Sequence, residues 1–351
     1  MPDVWFAVPG DPETLTGGYI YARRLMHALP AAGWTPRLVS WPGSFPYPSE
    51  DDLAFVRRTL EALPGGATVL IDGLAYGALP TGILDGLNLR LVALVHHPLA
   101  RESGISAADA AFFEQSERQA LARAAHVVTT SPETARTLAK DFGVPAAPLH
   151  VALPGTEPAS RATGAGDVPL ILSVGTLTPR KGHDVLVEAL AQIREIPWMC
   201  RIVGSRERDP ATTAALRILI ERHRLAHRVT LAGEMNTDVL REMYTRADVF
   251  ALASRYEGYG MVFAEALAHG LPIVACAAGA VTETVPADAG LLVPPDDPRA
   301  FAEALARVLT QDATRMSLAE AAWRHGKALP RWSDTAAAVA QALSRATAEA
   351  A

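Results

Sequence analysis

The sequence has little cysteine, little lysine and no long apolar run. Its 351 residues include two cysteines, Cys200 and Cys276, so we expect no disulfide framework and no cysteine-based zinc site, and we predict that both thiols are buried. No apolar stretch approaches the ~20 residues that a membrane-spanning helix needs. The N-terminus lacks the basic and apolar regions of a signal peptide, which favours a cytoplasmic protein.

The basic residues are nearly all arginine. Three lysines, Lys140, Lys181 and Lys327, stand among 32 basic residues, against 38 acidic residues and a net charge of −6. Abundant alanine, arginine, glycine and proline are typical of a GC-rich genome, so the choice of arginine over lysine carries little functional meaning. A net negative charge without a basic stripe argues against a nucleic-acid partner. The 49% hydrophobic and 20% charged content is ordinary for a soluble protein of about two domains.

Several catalytic motifs are missing. The sequence has no Gly-x-x-x-x-Gly-Lys-Ser/Thr loop of a P-loop NTPase and no Gly-x-Ser-x-Gly elbow of a hydrolase. It has no Asp-x-Asp pair and no histidine or cysteine cluster, so no metal ion or cofactor is expected. Neither half carries a complete Gly-x-Gly-x-x-Gly pattern, which disfavours an NAD-dependent dehydrogenase.

Short apolar runs alternate with helical segments along the whole chain, which predicts α/β domains with doubly wound parallel sheets. In the first half, strands are expected at 4–9, 37–40, 68–72, 89–95, 126–130 and 150–153. Helices are expected from Tyr19 onward, after the Gly17-Gly18 loop, and at 52–63, 106–125 and 132–142.

A glycine- and proline-containing segment, 154–169, is predicted to be a linker, after which the same alternation restarts. Further strands are expected at 170–174, 200–203, 229–231, 249–251, 273–275 and 290–293. Further helices are expected at 184–193, 212–223, 238–246, 261–268, 298–309, 319–324 and 332–348. We therefore predict two Rossmann-like domains facing a central cleft, at 1–160 and 168–330, and a C-terminal helix within 331–351.

The most informative motif follows the strand predicted at 249–251. Glu257 lies in a Gly-x-Gly loop, and Glu265 lies in the following helix among apolar residues. A carboxylate in that setting needs donors, which sugar or ribose hydroxyls supply. Gly258 and Gly260 permit close approach of the backbone, and the amides of the helix start, at Met261 and Val262, attract phosphate. A helix start followed by a surface glutamate is the alternative.

Two further loops are candidates. Gly175 opens a strand-end loop that contains the adjacent cations Arg180 and Lys181 before a helix, an arrangement suited to a diphosphate. Gly17-Gly18 lies between the first strand and its helix, and His96-His97 ends another strand. The alternatives are a solvated loop for the first, a tight turn for the glycines, and a buried or capping role for the histidines.

Taken together, these motifs resemble the retaining family 4 glycosyltransferases of the GT-B fold. The resemblance runs through almost the whole chain and is strongest over 247–296, where the two glutamates are separated by seven residues. The 174–182 loop and the Gly17-Gly18 loop are the second and third matches. Thr176, Tyr259 and Ala280 depart from the family, in which arginine, phenylalanine and glycine are common at these positions.

The resemblance implies a role for each motif. Arg180 and Lys181 neutralise the donor diphosphate, Glu265 binds the ribose, and Glu257 contacts the donor sugar. The amides from Gly258 through Tyr259 and Gly260 to Val262 meet the sugar and phosphate, Gly17 and Gly18 let the first domain approach the diphosphate, and one of His96 and His97 touches the sugar or acceptor. The first domain binds the acceptor, the second binds the nucleotide sugar, and the terminal helix crosses back to the first.

The resemblance thus implies metal-independent transfer of a hexose, with retention, from a UDP- or GDP-sugar to a glycan, a lipid-linked acceptor or a small molecule. A nucleotide-sugar epimerase or hydrolase of the same fold, and a catalytically silent nucleotide-sugar-binding subunit, are the alternatives. Arg23, Arg24, Arg57, Arg58, Arg118 and Arg123 are candidates for peripheral contact with the inner face of a membrane, the alternative being solvated helix faces.

Overall fold

The protein is described by a computed structural model that covers residues 1–164 and 166–348. Residue contacts divide the chain into two compact units. The first unit combines Met1–Gly155 with the C-terminal residues from Pro330 onward, and the second is Thr156–Leu329. Each unit is built around one parallel sheet.

The sheet of the first unit has six parallel strands in the order β2-β1-β3-β4-β5-β6. Its strands are β1 (Asp3–Pro9), β2 (Thr35–Trp41), β3 (Ala67–Asp72), β4 (Leu89–Val95), β5 (His126–Thr129) and β6 (Leu149–Val151). Its helices are α1 (Gly17–Ala28), α2 (Glu50–Glu61), α3 (Gly73–Tyr76), α4 (Ala107–Leu121) and α5 (Pro132–Asp141). Helices on both faces bury the central strands, which explains their continuous apolar runs.

The sheet of the second unit also has six parallel strands, in the order β12-β11-β10-β7-β8-β9. Its strands are β7 (Leu170–Val174), β8 (Met199–Val203), β9 (Val229–Gly233), β10 (Val249–Leu252), β11 (Ile273–Cys276) and β12 (Gly290–Val293). Its helices are α6 (His183–Gln192), α7 (Pro210–Arg222), α8 (Thr237–Arg246), α9 (Met261–Ala268), α10 (Val281–Thr284), α11 (Pro298–Thr310) and α12 (Asp312–Lys327).

Strand order reverses direction between β7 and β10, because the chain first adds β8 and β9 on one side and then returns to the other. In the first unit the reversal falls between β1 and β3. Crevices at such switch points, outside the carboxyl ends of the strands, are where ligands of open α/β sheets bind. The loops that follow β7 and β10 carry the charged motifs of the sequence.

The last helix, α13 (Trp332–Ala348), packs on the first unit. Its apolar face, which includes Val339 and Leu343, joins the core formed by β1, β3 and α1. Thr335 Oγ1 donates a 2.7 Å hydrogen bond to the Leu153 carbonyl, which ties the helix start to the segment after β6. A stripe of small and apolar residues at helical spacing therefore completes a core begun more than 300 residues earlier.

The predicted fold class is confirmed, and the strand positions agree closely. One helix is wrong in extent: the segment expected at 319–324 is part of α12, which runs Asp312–Lys327. Leu318, Ala321, Ala322 and Gly326 are buried at helical spacing, but no side chain of residues 312–317 is buried, so hydrophobic periodicity did not indicate the start of the helix. Helices α3 and α10 have four residues each, too few for any periodicity to indicate.

One buried carboxyl lies beneath the loop that follows β4. Glu117 of α4 is 2% exposed, and its oxygens accept hydrogen bonds from the amides of Leu99 (2.8 Å) and Ala100 (3.2 Å). Burial dominates these bonds and raises the pKa of Glu117 to about 7. Glu117 therefore accepts hydrogen bonds from the N-terminal amides of a 3-10 helix, Leu99–Arg101, and fixes this turn on α4.

Because the pKa of Glu117 is higher in the folded chain than its ordinary value, its contribution to stability is full below about pH 4.5 and is lost as pH rises to about 7. We expect wild type to lose on the order of 3 kcal/mol of unfolding free energy over this window relative to Glu117→Gln. Urea denaturation of both proteins at pH 5 and pH 8 measures this loss. If the unfolding free energies of wild type and Glu117→Gln differ by the same amount at both pH values, the raised pKa of Glu117 is contradicted.

Candidate active site

The site is built on two neighbouring strands of the second unit, β7 and β10, at their carboxyl ends. The loop after β7 contains a 3-10 turn, Pro179–Lys181, and leads into α6. The loop after β10 leads into α9. Parallel pairing of the strands brings the two loops side by side: the Arg255 amide donates to the Arg180 carbonyl at 2.8 Å.

An ionic cluster lies between the loops. Lys181 Nζ lies 2.6 Å from Glu257 Oε1, and Arg180 Nη1 lies 3.4 Å from Glu257 Oε2. Ser254 Oγ donates a 2.6 Å hydrogen bond to the same carboxylate, and Arg180 also donates to the Tyr256 carbonyl at 3.0 Å. Two cations therefore share the Glu257 carboxylate at a switch point of the sheet.

Burial opposes ionisation of Glu257, which is 5% exposed, but the charges of Lys181 and Arg180 and the hydrogen bonds from Lys181 and Ser254 outweigh it. Together they lower the pKa of Glu257 to about 2. Glu257 is thus a carboxylate at neutral pH, neither a proton donor nor an effective base. Its chemistry is that of a hydrogen-bond acceptor and a fixed negative charge.

Glycines make the close packing of these loops feasible. Gly182 has φ +62°, and a Cβ there would collide with the Ala253 carbonyl oxygen. Gly279 has φ +55°, and a Cβ there would overlap the Glu257 backbone. Ala280, by contrast, has φ −74°, so its departure from the family's glycine needs no unusual conformation.

His183 supports the first loop from behind. It is buried, and its Nε2 lies 3.2 Å from the Gly175 carbonyl. Burial lowers the pKa of His183 to about 4, so the neutral ring donates this hydrogen bond at physiological pH. Gly175 therefore acts as the attachment point of the cation-bearing loop.

Helix α9 supplies the second half of the site. Gly260, with φ +84°, is its N-cap, so the amides of Met261 and Val262 lie in the first turn, where helices attract anions. Met261, Val262 and Glu265 are half-buried, whereas the other side chains of α9 are buried. Glu265 follows Met261 by one turn, so the carboxylate and the helix start share one face.

Tyr244 of α8 contacts Glu265. Its hydroxyl donates a 2.8 Å hydrogen bond to Glu265 Oε2 and lies 3.3 Å from the Val262 carbonyl. The Tyr244 ring stacks on His269, with ring centroids 5.0 Å apart and planes 14° apart. The carboxylate thus has an aromatic neighbour in the buried part of the unit.

Arg255 joins three segments outside the ionic cluster. Its guanidinium binds both oxygens of Asp184 in α6, at 3.1 and 2.7 Å, and Asp296 after β12 at 2.7 Å. These bonds lock the loop after β10 against α6. Sequence reasoning missed Ser254, Tyr244 and Arg255 as contributors. Ser254 and Arg255 lie inside the 247–296 segment and Tyr244 lies just before it, but nothing in the sequence pairs Arg255 or Tyr244 with their partners.

The remaining candidates, Gly17, Gly18, His96 and His97, belong to the first unit. Gly17 and Gly18 are the first residues of α1, whereas the sequence predicted a loop before the helix. A Cβ on Gly18 would lie 3.5 Å from the His96 ring. His96 Nε2 is 3.6 Å from Asp72 at the end of β3. His96 and Gly18 therefore share the switch point of this sheet.

His97 has a different environment: its Nε2 lies 3.0 Å from Glu102 Oε2 in the following loop. The neighbouring Arg101 is paired with Asp141 at 2.7 Å. Of the two histidines, His96 is thus the one in contact with the glycine loop. The role of either in catalysis stays a prediction.

Other expectations can be compared with the structure. Cys200 and Cys276 are free and buried, as predicted. Arg57, Arg118 and Arg123 pair with carboxylates, at 2.7, 3.0 and 2.8 Å. Across the described ranges, no helix is both long enough and apolar enough to cross a bilayer. Likewise, within those ranges no three histidine, cysteine or acidic side chains are grouped as metal ligands.

Sequence comparison agrees with the geometry. The profile of Glycosyltransferase Family 4 matches residues 19–160, and that of Glycosyl transferases group 1 matches residues 157–325. The D-inositol 3-phosphate glycosyltransferase of Xylanimonas cellulosilytica is 32% identical over 281 residues, which span 73% of this chain and 67% of the relative. The MMP alpha-(1->4)-mannosyltransferase of Mycolicibacterium hassiacum is 27% identical over 318 residues, 86% of this chain and 75% of the relative.

Solved structures show the same architecture. Sucrose-phosphate synthase from Thermosynechococcus elongatus superposes with a TM-score of 0.85 at 26% identity, over the full length of both chains. Anabaena HepE, solved in complex with UDP and glucose, has a TM-score of 0.80 at 18% identity, covering 98% of this chain and 100% of HepE. The fold and the sequence matches define a GT-B glycosyltransferase that uses nucleotide-sugar donors.

The chain belongs to glycosyltransferase family 4, the glycosyl transferases of group 1. The family resemblance read from the sequence motifs is confirmed.

Proposed function

We propose that this chain transfers a hexose, with retention, from a UDP- or GDP-sugar to a glycan, lipid-linked or small-molecule acceptor, without a metal ion. The cluster of Lys181, Arg180 and Glu257 at the β7–β10 switch point is the observation that carries the proposal. Two cations beside a helix start match the charge of a nucleoside diphosphate.

The proposed reaction breaks the bond between the sugar C1 and the β-phosphate oxygen. The acceptor oxygen forms its bond to C1 from the same face, and the acceptor proton passes to the departing phosphate. Charge grows on the diphosphate as the bond breaks, so Lys181, Arg180 and the amides of Met261 and Val262 stabilise the transition state more than the ground state.

The ionised state of Glu257 supports this route. A carboxylate whose pKa is about 2 is a weak base, so the acceptor proton has a better destination in the leaving phosphate. In the proposal, Glu257 accepts hydrogen bonds from sugar hydroxyls and holds the two cations in place before the donor binds. Glu265 binds the ribose hydroxyls, one helical turn from the amides that meet the phosphates.

The acceptor is proposed to bind the first unit, near Gly18 and His96. The names of two relatives, a D-inositol 3-phosphate glycosyltransferase and a sucrose-phosphate synthase, contain phosphorylated small molecules. Among the three acceptor classes, a phosphorylated small molecule is therefore the first to test.

The first experiment is calorimetric titration of UDP, GDP and ADP, with and without magnesium, against wild type and Arg180→Ala. Metal-independent binding of UDP or GDP that is lost in the variant supports the proposal and identifies the donor class, whereas binding of ADP alone contradicts a UDP- or GDP-sugar donor. Failure of all three nucleotides to bind contradicts the proposal.

The corresponding nucleotide sugar then tests the reaction itself. Incubation with phosphorylated sugars and polyols is expected to give a glycoside, whose anomeric configuration is read by NMR. Conversion of the donor alone to free sugar or to an epimer identifies the hydrolase or epimerase alternative instead. Binding of donor without any conversion, across glycan, lipid-linked and small acceptors, favours the silent subunit.

A further inference from the structure

The phenol of Tyr244 contacts the carboxylate proposed to bind ribose, but the proposed mechanism gives the phenol itself no role. Tyr244 lies on α8, 21 residues before Glu265, and is 2% exposed. Its hydroxyl donates to Glu265 Oε2 at 2.8 Å, while the ring is held between His269 and Phe250. The contact is therefore between a fixed donor and a half-buried carboxylate.

Packing leaves the phenol little freedom. The Phe250 ring stacks on Tyr244 with centroids 5.9 Å apart and planes 23° apart, and His269 stacks within 14° of parallel. His269, which directly follows α9, is itself tethered, because its Nδ1 lies 2.8 Å from the Glu265 backbone carbonyl. The hydroxyl therefore cannot follow the carboxylate if that side chain changes rotamer.

A carboxylate that receives two adjacent ribose hydroxyls must present its oxygens in one orientation. Glutamate has three side-chain torsions, and fixing them on binding costs entropy that lowers affinity. A hydrogen bond to a charged acceptor from a rigid donor removes that cost beforehand. Burial raises the pKa of Tyr244 far above its ordinary value, so the phenol remains protonated and remains a donor.

We propose that Tyr244 is a positioning residue for ribose recognition, which pre-orients the Glu265 carboxylate toward the 2′- and 3′-hydroxyls of the donor nucleotide. This inference rests on the proposed function, in which Glu265 binds ribose. Tyr244 acts through Glu265 and touches neither the sugar nor the phosphates. Its effect is therefore confined to ligands that carry both hydroxyls.

The test compares each nucleotide with its dideoxy form. UDP and GDP, each beside its 2′,3′-dideoxy analogue, are titrated by calorimetry against wild type, Tyr244→Phe and Glu265→Gln. We expect Tyr244→Phe to weaken the ribonucleotide that binds by about tenfold, as for loss of a hydrogen bond to a charged group, and to leave its dideoxy form unchanged. With the full donor, KM is expected to rise with kcat unchanged, because the lost contact lies far from the breaking bond.

Two control variants separate positioning from general packing. Phe250→Leu loosens the same aromatic stack but keeps the phenol hydroxyl, so it is expected to lower Tm without distinguishing the two nucleotide forms. Tyr76→Phe removes a buried tyrosine hydroxyl in the first unit, and we expect it to leave both affinities at wild-type values.

The other outcomes overturn the inference in distinguishable ways. Equal weakening of both nucleotide forms by Tyr244→Phe assigns the phenol a packing role. If Tyr244→Phe binds both nucleotide forms with wild-type affinity while Glu265→Gln weakens only the ribonucleotide, Tyr244 has no part in ribose recognition. If Glu265→Gln weakens both nucleotide forms equally, or neither of them, the ribose role of Glu265 is refuted as well. Failure of wild type to bind any nucleotide refutes the proposed function.

Discussion

Replacement of Lys181 by alanine is expected to reduce glycosyl transfer by about 10² to 10³-fold, the loss typical of removing one group that stabilises developing charge. Lys181 Nζ is 2.6 Å from Glu257 Oε1, and Lys181 lies in the loop after β7, where the leaving diphosphate is proposed to bind. Because the lost interaction grows as the phosphate departs, kcat falls more than donor affinity does. Steady-state kinetics with the identified donor measure both.

The chain offers a matched control in Lys140→Ala, which removes an exposed lysine from α5. It is expected to have wild-type kinetics. Lys181→Ala should remain folded, because Glu257 keeps its contacts with Arg180 and Ser254, and circular dichroism with thermal melting checks this. A folded Lys181→Ala enzyme within threefold of wild-type kcat would remove Lys181 from the mechanism.

The second large effect is expected for Glu257→Gln, and it runs in opposite directions for binding and for turnover. In the structure the Glu257 carboxylate pairs with both Lys181 and Arg180, so it competes with a diphosphate for the same cations. Removing its charge should tighten UDP or GDP binding on the order of tenfold. The same change removes the charged acceptor proposed to hold the donor sugar, so transfer should fall by about 10²-fold or more.

Calorimetry and transfer assays on the same preparation test this divergence. In Glu257→Gln, the neutral amide leaves the partly buried Lys181 and Arg180 without this carboxylate, so the Tm of the free enzyme should fall. Added nucleotide should then raise the Tm of the variant more than it raises the Tm of wild type. Glu303→Gln, which removes an exposed carboxylate of α11, is the control and should change none of these quantities. Weaker nucleotide binding by Glu257→Gln would contradict the competition.

The sequence alone predicted most of the fold. Continuous apolar runs such as Val249–Leu252 identify strands buried on both faces, and their alternation with amphipathic segments leaves few arrangements other than doubly wound parallel sheets. The helices expected at 106–125 and 132–142 correspond to α4 and α5, and in the structure the Ser106 and Ser131 side chains cap their first turns, a contact that acts within three residues. The local pattern did not predict the full extent of α12, because residues 312–317 at its start have no buried side chain and so show no hydrophobic periodicity.

The candidate residues of the second unit were also visible in the sequence, because glycines, adjacent cations and spaced glutamates follow strand ends. Their physical state was not. Glu257 and Lys181 are 76 residues apart, and their 2.6 Å contact exists because β10 pairs with β7 rather than with β9. That pairing lowers the pKa of Glu257 and keeps it ionised at neutral pH, a property that depends on Lys181, Arg180 and burial as well as on its own loop.

The sequence by itself thus determined the class of fold, the family and the residue types available for donor binding, since these follow from short-range pattern and spacing. Only the tertiary structure decided which groups restrain one another. Tyr244 reaches Glu265, Arg255 binds Asp184, and His96 rather than His97 meets Gly18. Such contacts arise from strand order and helix packing, which join distant segments, so no local pattern encodes them.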